Sequence, residues 1–409
     1  MKVNITAKII IGFVLGVAIG QVFHSTMTPE VAESYAKNFQ ILSKIFLKLI
    51  KMIVGPLVFC TLVVGVAKLG DFKVVGRIGI KTLGYFYFAT ILSLLVGLVV
   101  VNVTQPGKIQ TWPRPAAGTD TGITGKKLKT VEEFILHIFP DSLFDALAKN
   151  EILQIVIFAL FFGVALGAIG EHGKKITKAI ETLQEIVFKM VGFIMQLAPY
   201  GVLGAMTGVV AVKGLGILIS YAYLMVCFFG GLLFFVFVVL SGICLVMKIP
   251  YFKLLAKMKE SVLLSFSTAS SEASLPQQIT ALEEFGCSQR IIGFVLPLGY
   301  SFNLDGSMMY MTFATGFIAQ AYGVDLSIQQ QVTMLLTLMI TSKGIAGVPR
   351  ASLVIIAGTL ALFDLPVEGI ALILGVDPFL DMGRSATSVV GNAVATAVVS
   401  KWEGEYNPA

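Results

Sequence analysis

Charge is scarce in this chain. Of 409 residues only 13% are Asp, Glu, Lys or Arg, against about 25% in an ordinary soluble domain. Apolar residues make up 56%, and the mean hydropathy is +0.87. So few charges cannot coat a water-soluble surface of this size, and the chain reads as an integral membrane protein. Histidine and cysteine are sparse too, with three and four residues. His24, His137 and His172 lie in or near loops, without metal-ligand spacing. Cys60, Cys227, Cys244 and Cys287 show no paired spacing, which excludes a disulfide or metal framework and leaves them as packing residues. No nucleophile elbow occurs, and Ser270, Ser271 and Ser274 have no base in sequence reach, so an enzyme is not expected and no cofactor is implied. Gly122 to Lys127 has the outline of a phosphate loop but is too short, has no Ser or Thr after the lysine, and follows no strand. The net charge of +6 is spread over loops, which suits membrane orientation and not nucleic acid.

What the chain has instead is apolar sequence in runs of span length. A helix crossing the bilayer needs about 20 apolar residues, and eight stretches supply them: 5–24, 41–67, 82–103, 150–170, 183–211, 214–247, 288–322 and 364–402. The first is read as a retained span, not a signal peptide. Gly12, Gly16 and Gly20 give it a smooth strip for close packing against another helix or a lipid chain. A kink is expected in the second at Gly55-Pro56. The basic clusters Lys68/Lys73/Arg77/Lys81, Lys174/Lys175/Lys178 and Lys248/Lys253/Lys257/Lys259 all fall on one side of such a chain. That side is the cytoplasm, with both termini there. The lysines of the loop 104–130 are the exception.

Two further apolar stretches are interrupted. Residues 251–285 break at Ser270 to Pro276, and residues 329–363 turn at Ser342 to Pro349; each reads as a re-entrant hairpin, entering from opposite sides. The span 288–322 is broken at Gly299 and at Asn303-Leu304-Asp305-Gly306-Ser307. A hairpin followed by a polar span therefore occurs twice with opposite insertion, an inverted repeat whose site lies at the repeat interface. Irregular backbone at that depth persists only where it is buried in protein or lines a cavity.

The polar residues concentrate here. On the last span Asp377, Asp381, Arg384, Ser385, Ser388 and Asn392 fall within roughly a 100° sector of one helix face at 100° per residue. They are either a self-satisfied Asp/Arg pair or the lining of a polar cavity. Asn303 and Asp305, on an unwound turn, offer oxygens to a hard cation or hold a hydrogen-bonded kink. Arg384 has the planar fork for a carboxylate, and Asp381 can take an ammonium group, which together describe an acidic amino acid. Glu272, at the first hairpin tip, is either a proton carrier or an idle carboxylate at the cytoplasmic mouth. An anion channel remains the alternative of a different class; saturable flux with one-for-one exchange of label distinguishes a carrier from it.

Through Ser267-Thr268-Ala269-Ser270-Ser271-Glu272, Asn303 to Ser307, Thr341 to Pro349 and Asp381-Met382-Gly383-Arg384, the whole chain resembles the dicarboxylate/amino acid:cation symporter family. It looks most like bacterial proton/glutamate symporters. The resemblance implies an all-α membrane protein with eight transmembrane helices and two re-entrant hairpins, in the bacterial inner membrane, assembled as a homotrimer. It implies a scaffold of residues 1–81 and 104–211 (spans 1, 2, 4 and 5). A transport domain of 82–103 and 212–409 (spans 3, 6, 7 and 8 with both hairpins) would move like an elevator. By motif position the substrate contacts would be Ser270, Ser271, Ser307, Val348, Ser352, Asp381, Arg384, Ser385 and Ser388. The cation positions would be Gly299, Ser301, Asn303, Asp305, Ser342, Lys343, Ile345, Ser388 and Asn392, with H+ or Na+ as coupling ion. Asn392 and Ala89 stand where sodium-coupled members offer an aspartate and a threonine, Ser388 stands where they have an asparagine, Met311 is neutral, and Arg350 replaces a small residue. The first two weaken a sodium shell and favour protons over sodium, Arg350 alters the electrostatics of the outer gate, and Met311 argues against a carboxylate relay at that point. The expected activity is uptake of glutamate or aspartate with a cation; a sodium-coupled or C4-dicarboxylate symporter is the alternative.

Overall fold

The computed structural model describes residues 5–67, 72–109, 136, 139–149, 151–215, 221–342, 351–374 and 376–407. Among them the chain is all-helical, and its one extended pairing is a single antiparallel bridge between Cys287 and Tyr406. The helices are α1 (Ile5–Thr26), α2 (Pro29–Ala67), α3 (Phe72–Thr104), α4 (Leu143–Lys149), α5 (Ile152–Ala168), α6 (Glu171–Met195) and α7 (Ala198–Lys213). There follow α8 (Ala222–Val246), α9 (Tyr251–Thr268), α10 (Leu275–Phe285), α11 (Gln289–Phe302) and α12 (Asp305–Ala321). The last are α13 (Ile328–Thr341), α14 (Ala351–Leu362) and α15 (Asp377–Trp402).

Three of these contain a stretch that is long and apolar enough to cross a membrane unaided: Ala7–Thr26, Gly76–Thr104 and Ala222–Val246. Residues Glu171–Ile194 and Ala198–Val212 qualify as a pair bent by 51°. The bend falls at Gln196 and Leu197, just before Pro199, which has no amide hydrogen to continue the helix. Inside α8, residues Phe235–Leu240 form a π-helical turn, and the Tyr251 hydroxyl donates to the Val236 carbonyl at its start, at 2.6 Å.

Several sequence boundaries are corrected. Of the stretch 68–81, expected as a loop, Lys73, Arg77 and Lys81 lie in the first turns of α3, which starts at Phe72, and Lys68 lies outside the described residues. Lys174, Lys175 and Lys178 likewise lie on α6, because amphipathic charged turns extend a helix beyond its apolar part. The expected kink at Gly55-Pro56 lies within α2, whose helical turns run on through Pro56. Gly299 does not break its span: α11 runs past it and unwinds only at Asn303 and Leu304. The last span begins at Asp377, not at 364, after a short 3-10 turn at Val367–Ile370. The phosphate-loop-like stretch, His137 and the turn 343–350 lie outside the described residues. All four cysteines are free and buried.

The helices sort into two packing groups. In one, α2 packs on α5, α6 and α7, and α1 on α7; in the other, α3, α8, α9, α11 and α12 pack around α15, and α14 packs on α12. Contacts of α11 with α2 and α5, and of α9 with α7, join the groups. The glycine strip of α1 lies against the backbone of α7. A methyl at Gly16 would sit 2.7 Å from the Leu203 carbonyl oxygen, and one at Gly12 would overlap that of Pro199. Gly84 on α3, by contrast, has open space around it. Gly16→Ala should therefore lower the melting temperature of the purified protein, at a cost of about 1–3 kcal/mol, while Gly84→Ala should leave it unchanged or slightly raised; equal melting temperatures would remove the close-packing account.

Candidate substrate and cation site

Two polar clusters meet where α11 unwinds. At the end of α11 the Asn303 amide closes a last turn on the Gly299 carbonyl at 2.8 Å, and after Leu304 the chain re-enters helix at Asp305. This break turns Asn303 and Asp305 towards α3 and α15. The Asn303 Nδ2 donates to Asp305 Oδ2 at 3.2 Å and to Asn392 Oδ1 at 3.0 Å. The Ser93 hydroxyl on α3 shares its proton between the Ala89 carbonyl at 2.9 Å and Asp305 Oδ1 at 3.0 Å. Ser93, Asn303, Asp305 and Asn392 are all fully buried.

Glycine makes room for these heads. A methyl on Gly391 would collide with Asp305 Oδ2, and one on Gly299 with Asn392 Oδ1. Gly299 thus serves the cluster by its missing side chain and not by breaking the helix. Buried Asn303 Oδ1 and Ser301 Oγ have no hydrogen-bond partner. Such atoms in an apolar surround cost about 1–3 kcal/mol each, and a cation ligated by oxygens removes that cost. The hydrogen-bonded set of Ser93, Asn303, Asp305 and Asn392 holds one carboxylate, two amides and one hydroxyl, which suits a monovalent hard cation. No cluster of three or more His, Cys, Asp or Glu that could hold a metal ion occurs among the described residues.

The second cluster centres on Arg384, whose side chain is only 2% exposed. Its Nη2 pairs with Asp381 Oδ1 at 2.8 Å and with Asp377 Oδ1 at 3.2 Å. The guanidinium carbon lies 4.0 Å over the Tyr310 ring, and the Tyr310 hydroxyl donates to Asp377 at 2.9 Å. Cation–π contact and two carboxylates offset the desolvation of a buried cation. Nε and Nη1 of Arg384 nevertheless have no acceptor. Two donors of a planar fork are thus left for another anion. Asp381 keeps a third of its side-chain surface exposed. Ser388 connects the clusters: its hydroxyl donates to the Arg384 carbonyl at 3.0 Å and accepts from the Gly306 amide at 3.2 Å.

The tip between α9 and α10 is ordered by Tyr300. Gln278 Nε2 donates to the Tyr300 hydroxyl at 2.6 Å and to Ser274 Oγ at 2.9 Å, and that hydroxyl donates in turn to the Ser271 carbonyl at 3.3 Å. Ala269 closes α9 in the left-handed region at φ 50°, where a glycine is usual. Ser270 Oγ accepts from the Ala273 amide at 3.4 Å, and half-buried Glu272 opens a 3-10 turn.

Of the residues singled out in the sequence, the structure brings together Gly299, Asn303, Asp305, Ser388, Asn392, Asp381 and Arg384. Ser301, Ser342, Ser352 and Ser385 are buried and Ser307 half-buried. Among the described residues no hydrogen bond joins Ser270, Ser271, Ser307, Ser352 or Ser385 to Arg384. Lys343, Ile345 and Val348 lie outside the described residues. Sequence reasoning missed Ser93 and Tyr310 as partners, while Asp377, placed by spacing on the same helix face as Arg384, meets it there. Ser93 was readable as a polar residue in an apolar run one turn after Ala89; Tyr310 carried no signal in its spacing. A cavity of about 900 Å³, lined by Lys253, Lys257, Glu260, Gln277 and Glu284, opens beside the hairpin, and none of the predicted site residues lines it.

Known proteins resemble this chain over nearly its whole length. The chain is 41% identical over 417 residues to the proton/sodium-glutamate symport protein of Geobacillus stearothermophilus, covering 99% of this chain and 96% of that one. It is 40% identical over 409 residues to the C4-dicarboxylate transport protein of Bacillus subtilis (strain 168), covering 99% and 95%. With the C4-dicarboxylate transport protein of Laribacter hongkongensis it shares 44% over 365 residues, 88% and 82% of the two chains. These relatives are transporters and not enzymes. The model of the sodium:dicarboxylate symporter family matches residues 5–402, and the chain belongs to that family.

Proposed function

We propose that the protein is a secondary symporter that takes up glutamate or aspartate across the bacterial inner membrane together with a cation. The observation that carries this reading is the buried Arg384 fork with unsatisfied Nε and Nη1 beside a part-exposed Asp381. A substrate side-chain carboxylate meets the two free donors, and the exposed edge of Asp381 meets an ammonium. Ser270, Ser271, Ser307, Val348, Ser352, Ser385 and Ser388 complete the substrate site.

The coupling ion binds at Gly299, Asn303, Asp305, Ser388 and Asn392, and beneath the second hairpin at Ser301, Ser342, Lys343 and Ile345. Protons are preferred to sodium, because Asn392 gives the cluster an amide where a second carboxylate would bind sodium more tightly. Glu272 carries a proton at the first hairpin tip. The packing groups support a division into a scaffold (1–81 and 104–211) and a transport domain (82–103 and 212–409) that moves as an elevator within a homotrimer, with eight spans and two re-entrant hairpins.

A second reading has one observation in its favour. Asp381 already pairs with Arg384 at 2.8 Å, so it does not require a substrate ammonium. Two of the relatives named above are C4-dicarboxylate transport proteins. Competition between aspartate and succinate separates the readings.

In proteoliposomes with separately imposed gradients, an acid-outside gradient should drive aspartate or glutamate uptake without sodium; a strict sodium requirement reverses the ion assignment. Arg384→Ala should lower aspartate affinity by about 100-fold or more, and retained binding in a calorimetric titration removes the substrate assignment. Asn392→Asp should make uptake respond to sodium. Glu272→Gln should flatten the pH dependence of uptake while leaving substrate binding intact, and an unaltered pH profile excludes it as the proton carrier.

A further inference from the structure

The chain after α15 forms a second polar assembly, away from the site. Three helices end here in the same way, with a residue in the left-handed region and two reversed backbone bonds. Gly404 has φ 72°, and Glu405 N–H returns to the Ser400 carbonyl at 2.8 Å. Gly286 has φ 102°, and Cys287 N–H returns to Leu282 at 3.0 Å. Lys248 has φ 50°, and Ile249 N–H returns to Cys244 at 2.8 Å. These stops turn the chain sharply without strain at the two glycines.

The turned segments then meet. Tyr406 forms the antiparallel bridge with Cys287, Asn407 N–H donates to the Gly286 carbonyl at 2.8 Å, and the Tyr406 ring packs on Phe285. Glu405 accepts from the Ser288 hydroxyl and pairs with Arg290 at the start of α11. Glu403, its side chain 1% exposed, accepts from Arg77 and Lys81 of α3, each at 2.7 Å. The Lys81 ammonium also donates to the Trp402 carbonyl at 3.0 Å, and Trp402 lies edge-on to Tyr85. Lys401 donates to the Lys248 carbonyl at 2.9 Å. Burial alone would push the Glu403 carboxyl up, but Arg77 and Lys81 outweigh it and hold it below its ordinary range. It stays charged at neutral pH.

The helices joined here are α3, α11 and α15, and the same three supply Ser93, Asn303 and Asn392 to the cation cluster. At 1.5 Å per residue the tie closes roughly 16–24 Å along each helix from those side chains. We infer that Glu403 and Glu405, in the segment Trp402–Asn407, are positioning residues of a clasp that sets the register of α3, α11 and α15 and thereby the geometry of the cation cluster. The inference rests on the proposed cation site and not on the choice of substrate.

The test uses the full-length protein in proteoliposomes, with whichever of aspartate, glutamate or succinate the wild type takes up. The double variant Glu403→Gln/Glu405→Gln should raise the half-saturating concentration of the coupling cation, read as a shifted pH profile or sodium titration, by about tenfold. The substrate KM at saturating cation should stay within about twofold. Exchanging the second pair, Arg290→Glu with Glu405→Arg, should recover cation affinity relative to Glu405→Gln alone. Should the double variant not transport, the cation-induced rise in its melting temperature in detergent reads the same affinity. An unshifted cation titration, an equal loss of substrate affinity, or an exchanged pair no better than the single variant overturns the proposal.

Discussion

A guanidinium held inside an apolar helical body dominates this structure. Arg384 cannot shed its charge, and its desolvation has to be offset by whatever surrounds it. Here that is a tyrosine ring face and two aspartates, one of them oriented by the tyrosine hydroxyl. The contacts use Nη2 and the ring face and leave the other edge of the fork open. The residue is therefore stabilised well enough to stay buried yet remains incompletely satisfied, the state that the anion-binding role proposed for it requires.

The cation cluster depends on the same place in the fold. Because α15 presents Arg384, Ser388 and Asn392 one turn apart, anything altering the register of that helix moves both clusters together. Ser388 joins them directly, holding the Arg384 carbonyl on one side and the first turn of α12 on the other. Such a link is a physical route by which the ion proposed to bind at Asn303, Asp305 and Asn392 would be felt at the guanidinium. The glycines at 299 and 391 allow the approach, since no larger residue leaves space for the Asn392 and Asp305 heads.

Much of this was legible beforehand. A polar face on an otherwise apolar helix, from Asp377 to Asn392, can be read from spacing alone because helical geometry converts spacing into direction. The break at Asn303 and Leu304 was legible from polar and glycine residues in an apolar run, and the interrupted hairpin from its serine-rich tip. The glycine strip of α1 announced close packing but not its partner; α7 lies almost two hundred residues away. Helix starts were misread wherever charged turns lengthen a helix, as at Phe72 and Glu171, since apolar runs mark the lipid-facing part and not the ends.

The sequence by itself determined that the chain is helical and apolar enough for a membrane, where its helices are interrupted, and which polar residues share a face. These properties follow from local periodicity and composition. Only the tertiary structure decided that Ser93 reaches Asp305, that Tyr310 lies under Arg384, and that Glu403 and Glu405 reach α3 and α11. Each of those contacts joins residues with no local relation in sequence, and such pairings arise only when whole helices pack.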